Sequence, residues 1–138
     1  MNKLTLNTLH HCVYGLNYHL VIVTKYRKRC LTNPMLDAFN EQARERCEAW
    51  GGKLIEMNGE ADHVHLLVEL PPSIALAAFV NALKTGTSRR LRNQFSQHLA
   101  AFYSKPTLWS RSYCILSCGG APLEIIKQYI QQQDRPED

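Results

Sequence analysis

The stretch Asp62-His63-Val64-His65-Leu66-Leu67-Val68-Glu69-Leu70 alternates along its length between two kinds of side chain. Residues two apart in a β-strand share one face of the sheet, so His63 and His65 point to the same side. That face carries His63, His65, Leu67 and Glu69, and the opposite face carries Val64, Leu66, Val68 and Leu70. The sequence therefore predicts a strand with one face in a hydrophobic core and two neighbouring imidazoles on the other. The imidazoles are a candidate pair of metal ligands that needs a third.

Hydrophobic periodicity and turn residues predict further strands and helices on both sides of this strand. The other predicted strands are Leu16 to Tyr26, Lys53 to Asn58 and Trp109 to Cys118, with Gly59-Glu60 as the turn of a hairpin. The predicted helices run from Asn33-Pro34 to Gly51-Gly52, from a cap at Ser73 to a break near Gly86 and on over Ser88 to Ala101, and from Leu123 to Gln133.

The resulting order, β-α-β-β-α-β-α, predicts an α+β fold of the ferredoxin-like or RRM-like kind, a split βαβ sandwich. Its helices would cover one face of an antiparallel sheet, and an added C-terminal helix would carry Tyr129. Such a sheet leaves its other face available for a ligand.

Length and composition narrow the class of protein. A chain of 138 residues suits one domain, residues 1–138, around one hydrophobic core. The sequence has no apolar run long enough to span a membrane, and Met1 to His11 lack the apolar run of a signal peptide. Five cysteines with no C-x-x-C pair favour free thiols in a reducing cytoplasm.

The net charge of +4 is unevenly distributed along the chain. Residues 1–36 contain five bases and no acid, and residues 71–123 contain six bases and no acid. Basic surface of this kind suits a polyanionic partner, because Lys and Arg neutralise phosphates and release their counterions. The candidate DNA-binding residues are Lys25, Arg27, Lys28, Arg29, Lys84, Arg89, Arg90, Arg92 and Arg111. A solvated surface of mixed charge is the alternative.

Tyr129 and Gln133 lie four residues apart on the last predicted helix, one above the other. They could be an ordinary half-packed tyrosine and a surface glutamine, just as His63 and His65 could be one packed and one solvated histidine. Together, however, two imidazoles and a glutamine carbonyl offer three ligands to a divalent ion beside a phenol. A phenol near a metal-polarised phosphodiester can attack it and form a covalent phosphotyrosine.

At four places in order the sequence resembles the single-tyrosine HUH transposases of IS200-type bacterial insertion sequences. The resemblance is carried by His19-Leu20-Val21 with Val23 to Arg27, by His63-Val64-His65, by Trp109 to Tyr113, and by Tyr129-Ile130 with Gln133. It covers nearly all of the chain from about Tyr14 to Gln133.

The resemblance implies that Tyr129 is the nucleophile and that His63, His65 and Gln133 hold Mg²⁺ or Mn²⁺. It also implies a homodimer whose active sites combine the histidines of one subunit with the tyrosine helix of the other, with Gly119-Gly120 as the hinge. The expected partners are single-stranded DNA and DNA hairpins, and no membrane, for a cytoplasmic protein associated with the nucleoid of a bacterium or archaeon.

Other functions remain compatible with the sequence alone. One alternative is a related HUH protein, either a domesticated single-tyrosine transposase or a nickase of replication or conjugation. Another is a non-catalytic binder of nucleic-acid hairpins on a ferredoxin-like sheet. Against an RNA-recognition module, no RNP-like aromatic signature stands on a predicted strand. A zinc hydrolase would need a third histidine or a carboxylate in the right place.

Overall fold

The computed structural model describes residues 7–9, 12–117 and 123–132. Its strands are β1 (Asn7–Leu9), β2 (Cys12–Tyr14), β3 (Asn17–Val23), β4 (Lys53–Glu60), β5 (His63–Glu69) and β6 (Cys114–Ser117). Its helices are α1 (Asn33–Ala49), α2 (Leu76–Gln94), α3 (Ser96–Ala100) and α4 (Leu123–Gln132), with a 3₁₀ turn at Lys25–Arg27. None of the helices in these ranges has the length and apolar character that crossing a lipid bilayer requires.

Four of the strands form an antiparallel sheet in the order β4-β5-β3-β6. This is the strand order of a ferredoxin-like split βαβ sandwich, so the predicted α+β fold is confirmed. The short hairpin of β1 and β2 stands apart from this sheet and was not predicted. β4 is an edge strand, and a bulge interrupts its pairing with β5 between Leu54 and Glu56.

The hydrophobic core lies on one face of this sheet. Leu20 and Ile22 of β3, with the alternate residues of β5, are fully buried against Phe39 of α1 and Phe79 of α2. Burying each such side chain stabilises the fold by about 1.5–3 kcal/mol. Val64, Leu66 and Val68 all belong to this core, as the alternation of the sequence predicts. His63 and His65 consequently lie on the other face.

The predicted turn at Gly59-Glu60 is wrong, because both residues pair with β5 and the turn falls at Ala61-Asp62. Glycine is needed at position 59 for packing: a Cβ there would lie 2.7 Å from Leu36 Cδ2 of α1. Gly59 therefore marks a close approach of α1 to the sheet, although in the sequence it resembles a turn residue.

The predicted helix break near Gly86 is also wrong, because α2 continues without interruption to Gln94. The guanidinium of Arg46 on α1 packs where a Cβ of Gly86 would stand, so this glycine permits a close helix contact. The helix ends instead at Phe95. Ser73 is not its cap, because α2 begins three residues later at Leu76, behind Ala75.

Two predicted strands are longer than the observed ones. β3 ends at Val23, after which the chain enters the 3₁₀ turn, and β6 begins only at Cys114. Trp109 forms an isolated bridge to Thr24, and its indole nitrogen donates to Thr87 Oγ1 in the core. The segment before Cys114 therefore contributes one bridge to the sheet and no continuous ladder.

Substitution by alanine should affect the stability of the protein very differently at two glycines. Gly52→Ala should lower the free energy of unfolding by about 3 kcal/mol, because its Cβ would collide with the backbone carbonyl oxygen of Glu69. Gly86→Ala should stay within about 1 kcal/mol of the wild type, because the flexible end of Arg46 can swing away and alanine favours the helix. Urea denaturation measures both, and equal losses would contradict this assignment.

Candidate active site

The two histidines are fixed by the pairing of the central strands. In the β3–β5 register, His63 stands opposite Val23, and His65 stands opposite Val21. Directly opposed residues share a face, so these four side chains form one patch on the face away from the main core. The two valines are completely buried in a second, smaller cluster. Both imidazoles are half-buried at its edge.

His63 is oriented by its neighbour in the chain. Its Nδ1 lies 2.9 Å from Oδ1 of Asp62, a residue only 5% exposed. Burial acts to raise the pKa of Asp62, but the hydrogen bond and charge of His63, with the charges of Arg27 and Arg29, hold that pKa below its ordinary value. An ionised Asp62 accepts a hydrogen bond from Nδ1–H and leaves the Nε2 lone pair of His63 for a metal. Carboxylates commonly support metal-binding histidines in this way.

His65 makes a contact that the sequence analysis did not predict. Its Nε2 lies 3.0 Å from Nδ1 of His19 on β3. Burial, followed by the nearby charges of His19 and His63, lowers the pKa of His65, which favours the neutral ring that a metal ligand requires. Pairing of β3 with β5 would have indicated this contact, because His19 then lies on the same face of the sheet as His63 and His65.

The donor set fits a divalent ion that takes part of its coordination from outside these strands. Two imidazoles share one face, and that of His63 has the carboxylate of Asp62 behind it. Among the residues that the structure describes, no three His, Cys, Asp or Glu side chains are grouped to hold a metal. The predicted third ligand, Gln133, lies outside the described residues.

Tyr129 lies over the same patch. Together with Ile130 it packs on Val21 and Val23, the register partners of the two histidines. Its hydroxyl group donates to Ser112 Oγ at 3.1 Å. The sheet thus brings the predicted nucleophile to the face and strands that carry the predicted metal ligands.

In the single chain, α4 contacts its own β3. The exchange of this helix between two subunits, implied by the resemblance, stays a prediction. Its expected hinge at Gly119-Gly120 lies outside the described residues.

Arg27 connects the tyrosine helix to the histidines. Its Nη1 donates to the carbonyl oxygen of Gln131 at 3.3 Å, and its Nη2 and Nε lie 3.5 Å from Oδ2 of Asp62. Tyr26 and Arg27 both have left-handed backbone angles, with φ of 60° and 53°. Such residues cost on the order of 1–3 kcal/mol each and persist where the surroundings hold them.

Several other predicted DNA-binding residues are engaged within the chain. Lys84 donates to the carbonyl oxygens of Ser110 and Arg111, and burial lowers its pKa. Arg90 pairs with Glu41, and Arg92 donates to Ser88. The exposed members are Arg29, Arg89 and Arg111. Their DNA contacts stay predictions.

Lys25 and Lys28 line a cleft of about 630 Å³ between the 3₁₀ turn and the segment that follows α3. Lys105 and Phe102 also line this cleft. Lys105 was not among the predicted DNA-binding residues, because in the sequence it stands alone, far from the basic clusters. Only the fold brings it beside the first cluster.

Comparison with known proteins identifies the family of this chain. Residues 12–133 match the family described as IS200-like transposase. The chain is 35% identical over 121 residues to the ISDra2 transposase TnpA of Deinococcus radiodurans, covering 88% of this chain and 86% of that protein.

Two solved structures share the fold. A crystal structure described as a transposase from Deinococcus radiodurans superposes with a TM-score of 0.85 and 31% identity, over 94% of this chain and 98% of that one. A REP-associated tyrosine transposase bound to a REP hairpin superposes with a TM-score of 0.52 and 9% identity, over 90% and 67% of the two chains, which is a likeness of fold alone. The family match spans most of the sequence, and the chain therefore belongs to the IS200-like transposases, a family of DNA transposases of insertion sequences.

Proposed function

We propose that this chain cleaves and rejoins single-stranded DNA at insertion-sequence ends through a covalent 5′-phosphotyrosine on Tyr129. The observation that carries the proposal is the patch on the outer sheet face. There Tyr129 packs on Val21 and Val23, and these valines stand opposite His65 and His63. The residues proposed as nucleophile and as metal ligands therefore share one surface of the sheet.

The chemical step is a transesterification. The phenol oxygen of Tyr129 loses its proton and forms a bond to the phosphorus of a DNA phosphodiester. The bond from phosphorus to the 3′ oxygen breaks, and that oxygen takes a proton to become a free 3′-hydroxyl. Rejoining is the reverse attack by a 3′-hydroxyl on the tyrosyl ester. The ester conserves the energy of the broken bond, so no nucleoside triphosphate is needed.

His63, His65 and Gln133 would hold a divalent cation, which we propose to be Mg²⁺ or Mn²⁺. When bound, this cation would polarise the scissile phosphate and orient it. The support for the proposal is the carboxylate of Asp62, which holds the His63 ring with Nε2 available. Ser112 accepts the hydrogen bond of the Tyr129 hydroxyl and so restricts the direction of the nucleophile.

The DNA partner is proposed to be single-stranded, with hairpins at the element ends. The cleft between the 3₁₀ turn and the segment after α3 combines Lys25, Lys28 and Lys105 with the rings of Tyr26 and Phe102. Lysines suit phosphates, and aromatic rings stack on unpaired bases. A fold neighbour, the REP-associated tyrosine transposase, is described as bound to a REP hairpin, which agrees with this choice.

The functional unit is proposed to be a homodimer. Among the described side chains, the cluster around Val21 and Val23 and the contacts of Arg27 and Ser112 join α4 to the rest of the chain. When two copies exchange an identical helix, each helix can make these same contacts on the other copy, so the exchange changes the free energy little.

Tyr129→Phe should abolish the covalent adduct while leaving hairpin binding unchanged, because phenylalanine keeps the ring on Val21 and Val23 and removes only the hydroxyl group. The assay uses labelled single-stranded DNA from the flanks of the gene, Mn²⁺ and a denaturing protein gel. Tyr18→Phe, on the core face of β3, is the control and should form the adduct normally. An adduct formed by Tyr129→Phe would remove Tyr129 as the nucleophile.

His63→Ala should keep the fold and lose Mn²⁺ binding, because this side chain lies on the face away from the main core. Titration calorimetry should record a loss larger than the about 10- to 100-fold that removal of a supporting carboxylate costs. The thermal midpoint should stay near that of the wild type. His98→Ala, on α3, should bind Mn²⁺ normally. Unfolding of His63→Ala would instead mark the histidine as structural.

Lys105→Gln should reduce the slope of hairpin affinity against salt concentration by about one, because one phosphate contact is lost. Lys53→Gln removes the same charge from the exposed edge of β4 and should leave the slope unchanged. The slope is measured by fluorescence anisotropy over a series of salt concentrations. Equal slopes for the Lys105 variant and the wild type would exclude the lysine-lined cleft as the DNA site.

A further inference from the structure

Arg27 stands between the two halves of the proposed active site. One edge of its guanidinium donates to the carbonyl of Gln131 on α4, and the other faces the Asp62 carboxylate. Asp62 in turn holds Nδ1 of His63. An unbroken series of polar contacts thus runs from the tyrosine helix to a predicted metal ligand.

The acceptor on α4 is the backbone carbonyl of Gln131. Gln131 is in the last turn of α4, which ends at Gln132. A backbone carbonyl oxygen has two lone pairs, so it can accept a hydrogen bond from a side chain as well as from an amide. A guanidinium offers several donors in a fixed plane and can therefore bind this carbonyl and a carboxylate together.

The backbone around Arg27 is built to hold this position. The turn is left-handed at two residues, and it is anchored by Tyr103, whose hydroxyl donates to the Lys25 carbonyl at 2.7 Å. The Arg27 amide donates to the carbonyl of Thr24 at 2.9 Å. Strained backbone that its surroundings fix in this way is typical of functional positions.

Thr24 ties the same turn to Asp62. Its amide donates to the Asp62 carbonyl at 3.0 Å, and its hydroxyl donates to the Lys28 carbonyl at 2.7 Å. Thr24 is completely buried, so these bonds are shielded from water. The turn that carries Arg27 and the residue that supports His63 consequently form one rigid unit.

We propose that Arg27 is a positioning residue that ties α4 to the Asp62–His63 pair, and that it does not serve as a phosphate contact. The inference rests on the proposed function. Its guanidinium holds Asp62 in the orientation that fixes the His63 ring, and at the same time it binds the tyrosine helix beside that ring. Arg27 therefore acts on the metal site through Asp62.

The test compares Arg27→Gln and Arg27→Lys with the wild type. Arg27→Gln should weaken Mn²⁺ binding about 10- to 100-fold in calorimetry, the range for loss of a group that supports a ligand. Arg27→Lys should be impaired too, because an ammonium is a point charge that cannot bridge both acceptors. The salt dependence of hairpin binding should be unchanged in both variants.

Arg44→Gln is the control, since Arg44 is an exposed arginine on α1, outside both the proposed metal site and the candidate DNA-binding residues. It should keep the Mn²⁺ affinity of the wild type. A double-mutant cycle with Asp62→Asn adds a measurement that a general structural role would not move. If Arg27 acts through Asp62, Arg27→Gln should cause no further loss of Mn²⁺ affinity in the Asp62→Asn background.

Three results would overturn the inference. The first is normal Mn²⁺ affinity in Arg27→Gln together with a salt slope reduced by about one, which identifies a phosphate contact. The second is additivity in the cycle, and the third is a wild type that binds no Mn²⁺.

Mn²⁺ binding without a DNA adduct would refute only the Tyr129 chemistry, and the cycle would still decide the role of Arg27. If Arg27→Gln does not fold, Arg27→Lys supplies the same cycle.

Discussion

The register between β3 and β5 is the constraint on which the remaining structure depends. Side chains alternate between faces with a period of two, so a slip of one residue would exchange every inward and outward position. His63 and His65 would then enter the core, and Val64 and Leu66 would face outward. The core on one face and the proposed active site on the other are therefore specified by the same pairing.

The two faces of the sheet are covered very differently. The core face carries α1 and α2, with large buried side chains such as Phe39 and Phe79. The other face has a small cluster in which Val21 and Val23 meet Tyr129 and Ile130. Most of the hydrophobic stabilisation thus comes from one face, and the proposed active site lies on the face whose side chains contribute less to it. This separation is why we expect the residues of the proposed site to be replaceable without loss of the fold.

The sequence predicts the parts that follow from periodicity, and misses those that depend on contacts between distant elements. Alternation located β5 and its histidines, and the order of elements led to the fold class. Gly59 and Gly86 were misread, because a glycine that allows a close approach looks like a turn or a break when only its neighbours in the chain are known. The contact of His19 with His65 depends on how two strands pair, and the contacts of Arg27 depend on where α4 lies. No local pattern in the sequence indicated these contacts.

The bulge in β4 has a consequence for behaviour in concentrated solution. β4 is an open edge of the sheet, and an open edge offers unpaired backbone groups to strands of other molecules. The pairing of β4 is irregular between Leu54 and Glu56, which bends this edge. The exposed charges of Lys53, Glu56 and Glu60 lie along the same strand. A bent and charged edge is a poor template for growth into fibrils. The exposed Ile55 can therefore remain on this strand without promoting aggregation.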